Sequence, residues 1–146
     1  MTSRARRMLL VISLLALGGV LVSSVSLYHH YGTAQSSFCD FGENFNCDMV
    51  NRSIYSVVFG IPVALIGVIG YLVLLGLATL YRAKAETPRA MLLIAALAGL
   101  GFALYLTYIE AFVLAVWCIL CLTSLTLILA ITVLSAVVVA DSARKA

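Results

Sequence analysis

The chain has 146 residues, of which 64% are apolar and 10% charged, with a mean hydropathy of +1.14 and a net charge of +3. A soluble domain averages about 45–50% apolar and about 25% charged residues. The composition therefore excludes an ordinary soluble globule, a disordered chain and a nucleic-acid-binding module, and the length suits a single domain, 1–146.

A helix needs about 20 apolar residues to cross the hydrocarbon, and four uncharged stretches supply them. The first, 8–28, follows Arg4, Arg6 and Arg7. Small residues (Ser23, Ser24, Ser26) lie near its end, as at a cleavage site. Its apolar run is longer than the about 7–15 residues of a signal-peptide core, so it reads as a retained span. His29, His30 and Tyr31 then read as interfacial anchors. A loop over 29–53 carries Cys39 and Cys47 with Asp40, Glu43 and Asp48.

The second span, 54–80, contains Pro62, which lacks a backbone donor and should kink or loosen the helix. Arg82, Lys84 and Arg89 separate it from the third span, 91–109, which ends at Glu110. That carboxylate is expected as a solvated boundary charge, with a proton relay as the competing role. The fourth span, 118–140, opens on Cys118-Ile119-Leu120-Cys121 and leads to Asp141, Arg144 and Lys145. Glycines and alanines in spans one to three suit close helix packing. Unpaired backbone is not tolerated in lipid, so the expected fold is an all-α, four-transmembrane-helix bundle.

Eight of the nine basic residues share one side. The positive-inside rule makes that side the cytoplasm, with both termini inside. The loop 29–53 and the turn after Glu110 then face outward. The 146 residues include no soluble domain, so an aqueous partner is expected as a separate chain.

This topology brings all four cysteines to the outer boundary, the oxidising side on which disulfides persist. Positions three apart share a helix face, so Cys118 and Cys121 can close a small ring. A helix N-terminus favours the thiolate, the species that attacks disulfides. Cys39 and Cys47 flank a polar, acidic segment, whereas Cys118 and Cys121 lie among Trp117, Leu120 and Leu122. One pair faces water and the other lipid, which suits an electron relay by thiol–disulfide exchange. Two structural disulfides fit the count as well. A four-thiolate zinc site has the ligand number but a looser spacing than C-x2–4-C.

The order Cys39-x7-Cys47, Ser53, Cys118-x2-Cys121, with Phe59-Gly60-Ile61-Pro62 and Trp117-Cys118-Ile119-Leu120-Cys121, resembles bacterial vitamin K epoxide reductase homologues along essentially the whole chain. The resemblance implies a quinone-dependent, disulfide-forming oxidoreductase of the bacterial cytoplasmic membrane, with its active face outside. Its acceptor would be ubiquinone or menaquinone, with no metal. Its partner would be a secreted thioredoxin-like, DsbA-like protein acting in trans. Cys39 would exchange with that partner, Cys47 would pass electrons to Cys118, and Cys121 would deliver them to the quinone. Ser53 would hold or polarise the quinone, and Tyr55, Phe59 and Pro62 are further candidate contacts; Phe102, Tyr105 and Tyr108 could also line the pocket. Tyr55 stands where the family often has Trp. Leu125 stands where animal members have Tyr near the quinone carbonyl, which weakens the case for epoxide chemistry and leaves simple quinone reduction open.

Two rivals differ in testable ways. A DsbB-type oxidoreductase carries its C-x-x-C in the first outer loop, not at the fourth span. A four-span transporter or scaffold with structural disulfides should place an ionisable residue deep in a span, and none of the four spans has one.

Overall fold

A computed structural model describes residues 3–31, 54, 57–83, 90–115 and 119–144. Four helices in it are long and apolar enough to cross a membrane. They are α1 (Ser3–Tyr31), α2 (Val63–Ala83), α3 (Ala90–Tyr108) and α4 (Ile119–Arg144). The all-α membrane-bundle architecture read from hydropathy is therefore the one observed.

Span two begins later than its apolar run suggests. Residues 57–62 form a small antiparallel hairpin, β1 (Val57–Val58) and β2 (Ile61–Pro62), with Val57 opposite Pro62 and Val58 opposite Ile61. Its two turn residues, Phe59 (φ 52°) and Gly60 (φ 78°), both have positive φ, as a tight primed hairpin turn requires. Pro62 ends this hairpin and directly precedes α2. The expected kink inside the span is thus corrected: proline keeps Ile61 extended and sets the start of the helix instead of bending it.

Span three ends in a π-helical stretch, Ile109–Leu114, closed by Ala115 in the left-handed region (φ 54°). Glu110 lies in this stretch and is only 2% exposed, so the expected solvated boundary charge is a buried carboxyl. Packing at the end of α3, invisible to hydropathy, removes it from solvent.

Helix α1 packs most heavily on α2 and then on α4, and α4 packs on α3; α2 and α3 touch least among these neighbours. The helices thus surround an axis with one thin seam. Arg4 Nε lies 3.9 Å from Asp141, which joins the start of α1 to the end of α4. The Arg4 side chain is largely exposed, so the contact places the termini together more than it stabilises them. At this end a core forms from residues three, four or seven apart: Leu9, Ile12 and Ala16 on α1, Leu74, Ala78 and Tyr81 on α2, Leu92 and Ala96 on α3, and Ile131 and Val138 on α4. The Thr132 hydroxyl donates to Ile128 O (2.7 Å) and reaches Ala96 O (3.3 Å), tying α4 to α3.

Candidate active site

Toward the opposite end the described residues leave the axis open. A cavity of about 420 Å³ lies among all four helices, within the about 300–1,000 Å³ range of small-molecule sites. Side chains from Val63 and Ala64 to Leu74 line it on α2, and Ala95 to Leu106 on α3. Its walls are mostly aliphatic, with Phe102 the one aromatic besides Tyr71 among the described residues. Small residues explain part of the opening: a Cβ at Gly70 would meet open space, and Ala98 is small, whereas a Cβ at Gly67 or Gly99 would press on Ser23 or Ile128, so those two glycines let the helices approach instead. Gly70 and Ala98 are both lining and exposed, so the cavity opens along the thin α2–α3 seam.

Among the described residues, four hydroxyls and one thiol interrupt this apolar wall. Cys121 lines the cavity from the first turn of α4. There the leading amide groups lack helical partners and the dipole is positive, a setting that favours developing negative charge on sulfur. Ser124 lies one turn deeper on the same face. Its Oγ and its carbonyl oxygen are each 2.8 Å from the Tyr71 hydroxyl of α2. Ser23 and Ser26, both buried, project from α1. These two serines are three apart on the face turned to the cavity, whereas Ser24 points outward and bonds Val20 O.

The predicted site residues are only partly brought together. Cys121 is at the cavity. Cys39, Cys47, Cys118, Ser53 and Tyr55 lie outside the described residues. Pro62 is buried beside the lining residue Val63, and Phe59 is fully exposed at the hairpin tip; neither lines the cavity. Phe102 does. Tyr105 and Tyr108 do not, and Tyr108 instead packs on Phe112 with ring centroids 5.1 Å apart. Leu125 packs against the core cluster. Tyr71, Ser124, Ser23 and Ser26 went unassigned. Their signal in the sequence was a hydroxyl inside an otherwise apolar span, which is costly unless it has a partner or a ligand.

Four helices long and apolar enough to cross a membrane, with a cysteine near the start of one of them on the wall of an apolar cavity, define the class as a multi-pass membrane protein with a sulfur at its chamber. The vitamin K epoxide reductase family model matches residues 10–136, and the chain belongs to that family. It is accordingly a multi-pass membrane thiol–disulfide oxidoreductase of a kind linked in general to quinones. No curated protein matches the chain.

Proposed function

We propose that the protein oxidises a secreted thioredoxin-like protein and transfers the electrons to a membrane quinone, with its active face outside the bacterial cytoplasmic membrane. The partner's dithiol reduces the Cys39–Cys47 disulfide and is itself oxidised. Cys47 then attacks the Cys118–Cys121 disulfide, and exchange regenerates Cys39–Cys47 while leaving Cys118 and Cys121 as thiols. Those two thiols reduce the quinone: a sulfur–sulfur bond forms, and two electrons and two protons convert quinone to hydroquinone. Ser53 and Tyr55, at the start of the second hydrophobic segment, help hold the quinone head.

The observation that carries this reading is Cys121 on the wall of a large apolar cavity. A ring of quinone size fits such a volume, and the α2–α3 seam gives its apolar tail a way to the lipid. An electron donor at the wall needs no aqueous carrier.

The test uses purified protein in lipid nanodiscs with a short-chain ubiquinone and a reduced thioredoxin-like partner. Quinone consumption is expected to vanish in Cys118→Ala and in Cys121→Ala. Cys39→Ala should block the partner yet leave turnover with dithiothreitol, which reduces the inner pair directly. Full turnover in a variant without any of the four cysteines would overturn the relay.

A further inference from the structure

We propose that Tyr71 binds the quinone carbonyl and hands it a proton, with Ser124 holding the phenol in place for that step; this rests on the reading that a quinone occupies the cavity. Tyr71 is buried, and it is the only phenol lining the cavity among the described residues. Its ring has one seat. A Cβ at Gly19 would overlap the ring, so α1 approaches Tyr71 closely there because residue 19 has no side chain. At the other end its hydroxyl is 2.8 Å from both Ser124 Oγ and Ser124 O. Helices α1, α2 and α4 thus fix one hydroxyl at the cavity wall.

The hydrogen-bond inventory makes this hydroxyl a donor that can switch. A phenol carries one proton and a serine hydroxyl carries one. When Tyr71 donates to the Ser124 carbonyl, the Ser124 hydroxyl donates to the phenol oxygen. The Ser124 carbonyl lies inside α4, where it also accepts the amide four residues on, so it can release the phenol proton without being orphaned. The phenol then turns to a ligand carbonyl while Ser124 Oγ still donates to it, which makes the phenol a stronger donor. Ser23 and Ser26 also line the cavity, but a serine hydroxyl is a weaker acid than a phenol.

The placement suits the chemistry. Ser124 is three residues from Cys121, about 4.5 Å along the helix at about 1.5 Å per residue. A carbonyl on Tyr71 therefore sets its ring within reach of the Cys121 sulfur. As Cys118 and Cys121 close their disulfide, two electrons enter the ring and the two thiols release two protons. Tyr71 passes one proton to the carbonyl oxygen and regains one through the Ser124 hydroxyl; the second goes to the other carbonyl. Two thiols and a quinone become a disulfide and a hydroquinone.

Tyr71→Phe keeps the ring in its seat and removes only the hydroxyl. In nanodiscs with short-chain ubiquinone and dithiothreitol, its quinone kcat/KM is expected to fall about 100-fold, the low end of a lost general acid. Reduction of the protein disulfides by dithiothreitol without quinone should be unchanged. The discriminating readout is the infrared carbonyl stretch of bound, carbon-13-labelled quinone, shifted to lower frequency by the wild type and not by Tyr71→Phe. A packing role alone would not move it. Ser124→Ala, which keeps the backbone carbonyl, should lower kcat/KM about tenfold and reduce the infrared shift; Ser124→Thr should restore both. Unchanged kinetics and an unchanged stretch in Tyr71→Phe overturn the proposal. If that variant does not fold, an unchanged stretch in Ser124→Ala overturns it. Turnover surviving in Cys121→Ala would instead overturn the quinone reading beneath it.

Discussion

The two halves of this bundle use the same helices to opposite ends. Near the joined termini, Leu9, Ile12, Tyr81, Leu92 and Ile131 close the axis, each at most 1% exposed. Toward the start of α4, the residues on the same helices that face the axis include Ser23, Ser26, Gly67, Gly99 and Ser124, and a cavity of about 420 Å³ takes the place of a core. Tyr71 and Ile128 sit at the junction, counted in the core and lining the cavity. Lipid is as apolar as any interior, so helices in a membrane associate through contact rather than by escaping water. The packed half therefore supplies most of the cohesion, and the open half can be given over to a ligand.

If that division is right, filling the open half should cost function and little stability. Ala64→Phe places a ring into the cavity from α2. Quinone turnover is expected to fall by more than tenfold, mostly through KM, because the ring occupies ligand volume. Thermal unfolding in detergent should hardly change. A marked loss of stability instead would mean that the cavity wall is part of the packed core.

The reverse substitution belongs in the closed half. Ile12 is fully buried, and Ile12→Ala leaves a void that rigid neighbours cannot fill. The cost is about 2 kcal/mol, near the bottom of the range for buried truncations, since transfer from water contributes little inside a membrane. Turnover per folded molecule should stay at the wild-type level. Denaturation in mixed micelles checks the first number and a titrated quinone assay the second.

Much of this was legible in the residues, and the gaps have physical causes. Long uncharged runs disclose helices because backbone polar groups in lipid leave few other choices. The same hydropathy conceals the hairpin at 57–62, since Val57, Phe59 and Ile61 are as apolar as any helix residue; Gly60 and Pro62 are the clues, but inside an apolar run they read as a packing glycine and a helix kink. Glu110 was misread because a charge at a span end is buried or solvated according to what packs beside it. The C-x-x-C motif announced Cys121 directly. The cavity was not announced, because an empty volume depends on side chains from four helices at once. Tyr71 and Ser124 are separated by 53 residues, and no local pattern couples them.

The smallest effect probes whether the closed half is as well satisfied as it is well filled. Ser135 on α4 is fully buried, and its hydroxyl has no hydrogen-bond partner among the described residues. A buried hydroxyl without a partner contributes an unfavourable desolvation term. Ser135→Ala removes that term and leaves a void of one oxygen atom, so the two effects oppose each other. The orphaned polar group should outweigh so small a void, giving a gain of under about 1 kcal/mol with unchanged turnover. A loss of stability in the same unfolding assay would show that the hydroxyl is bonded in the membrane, and that the packed half carries a polar tie across helices beyond the one made by Thr132.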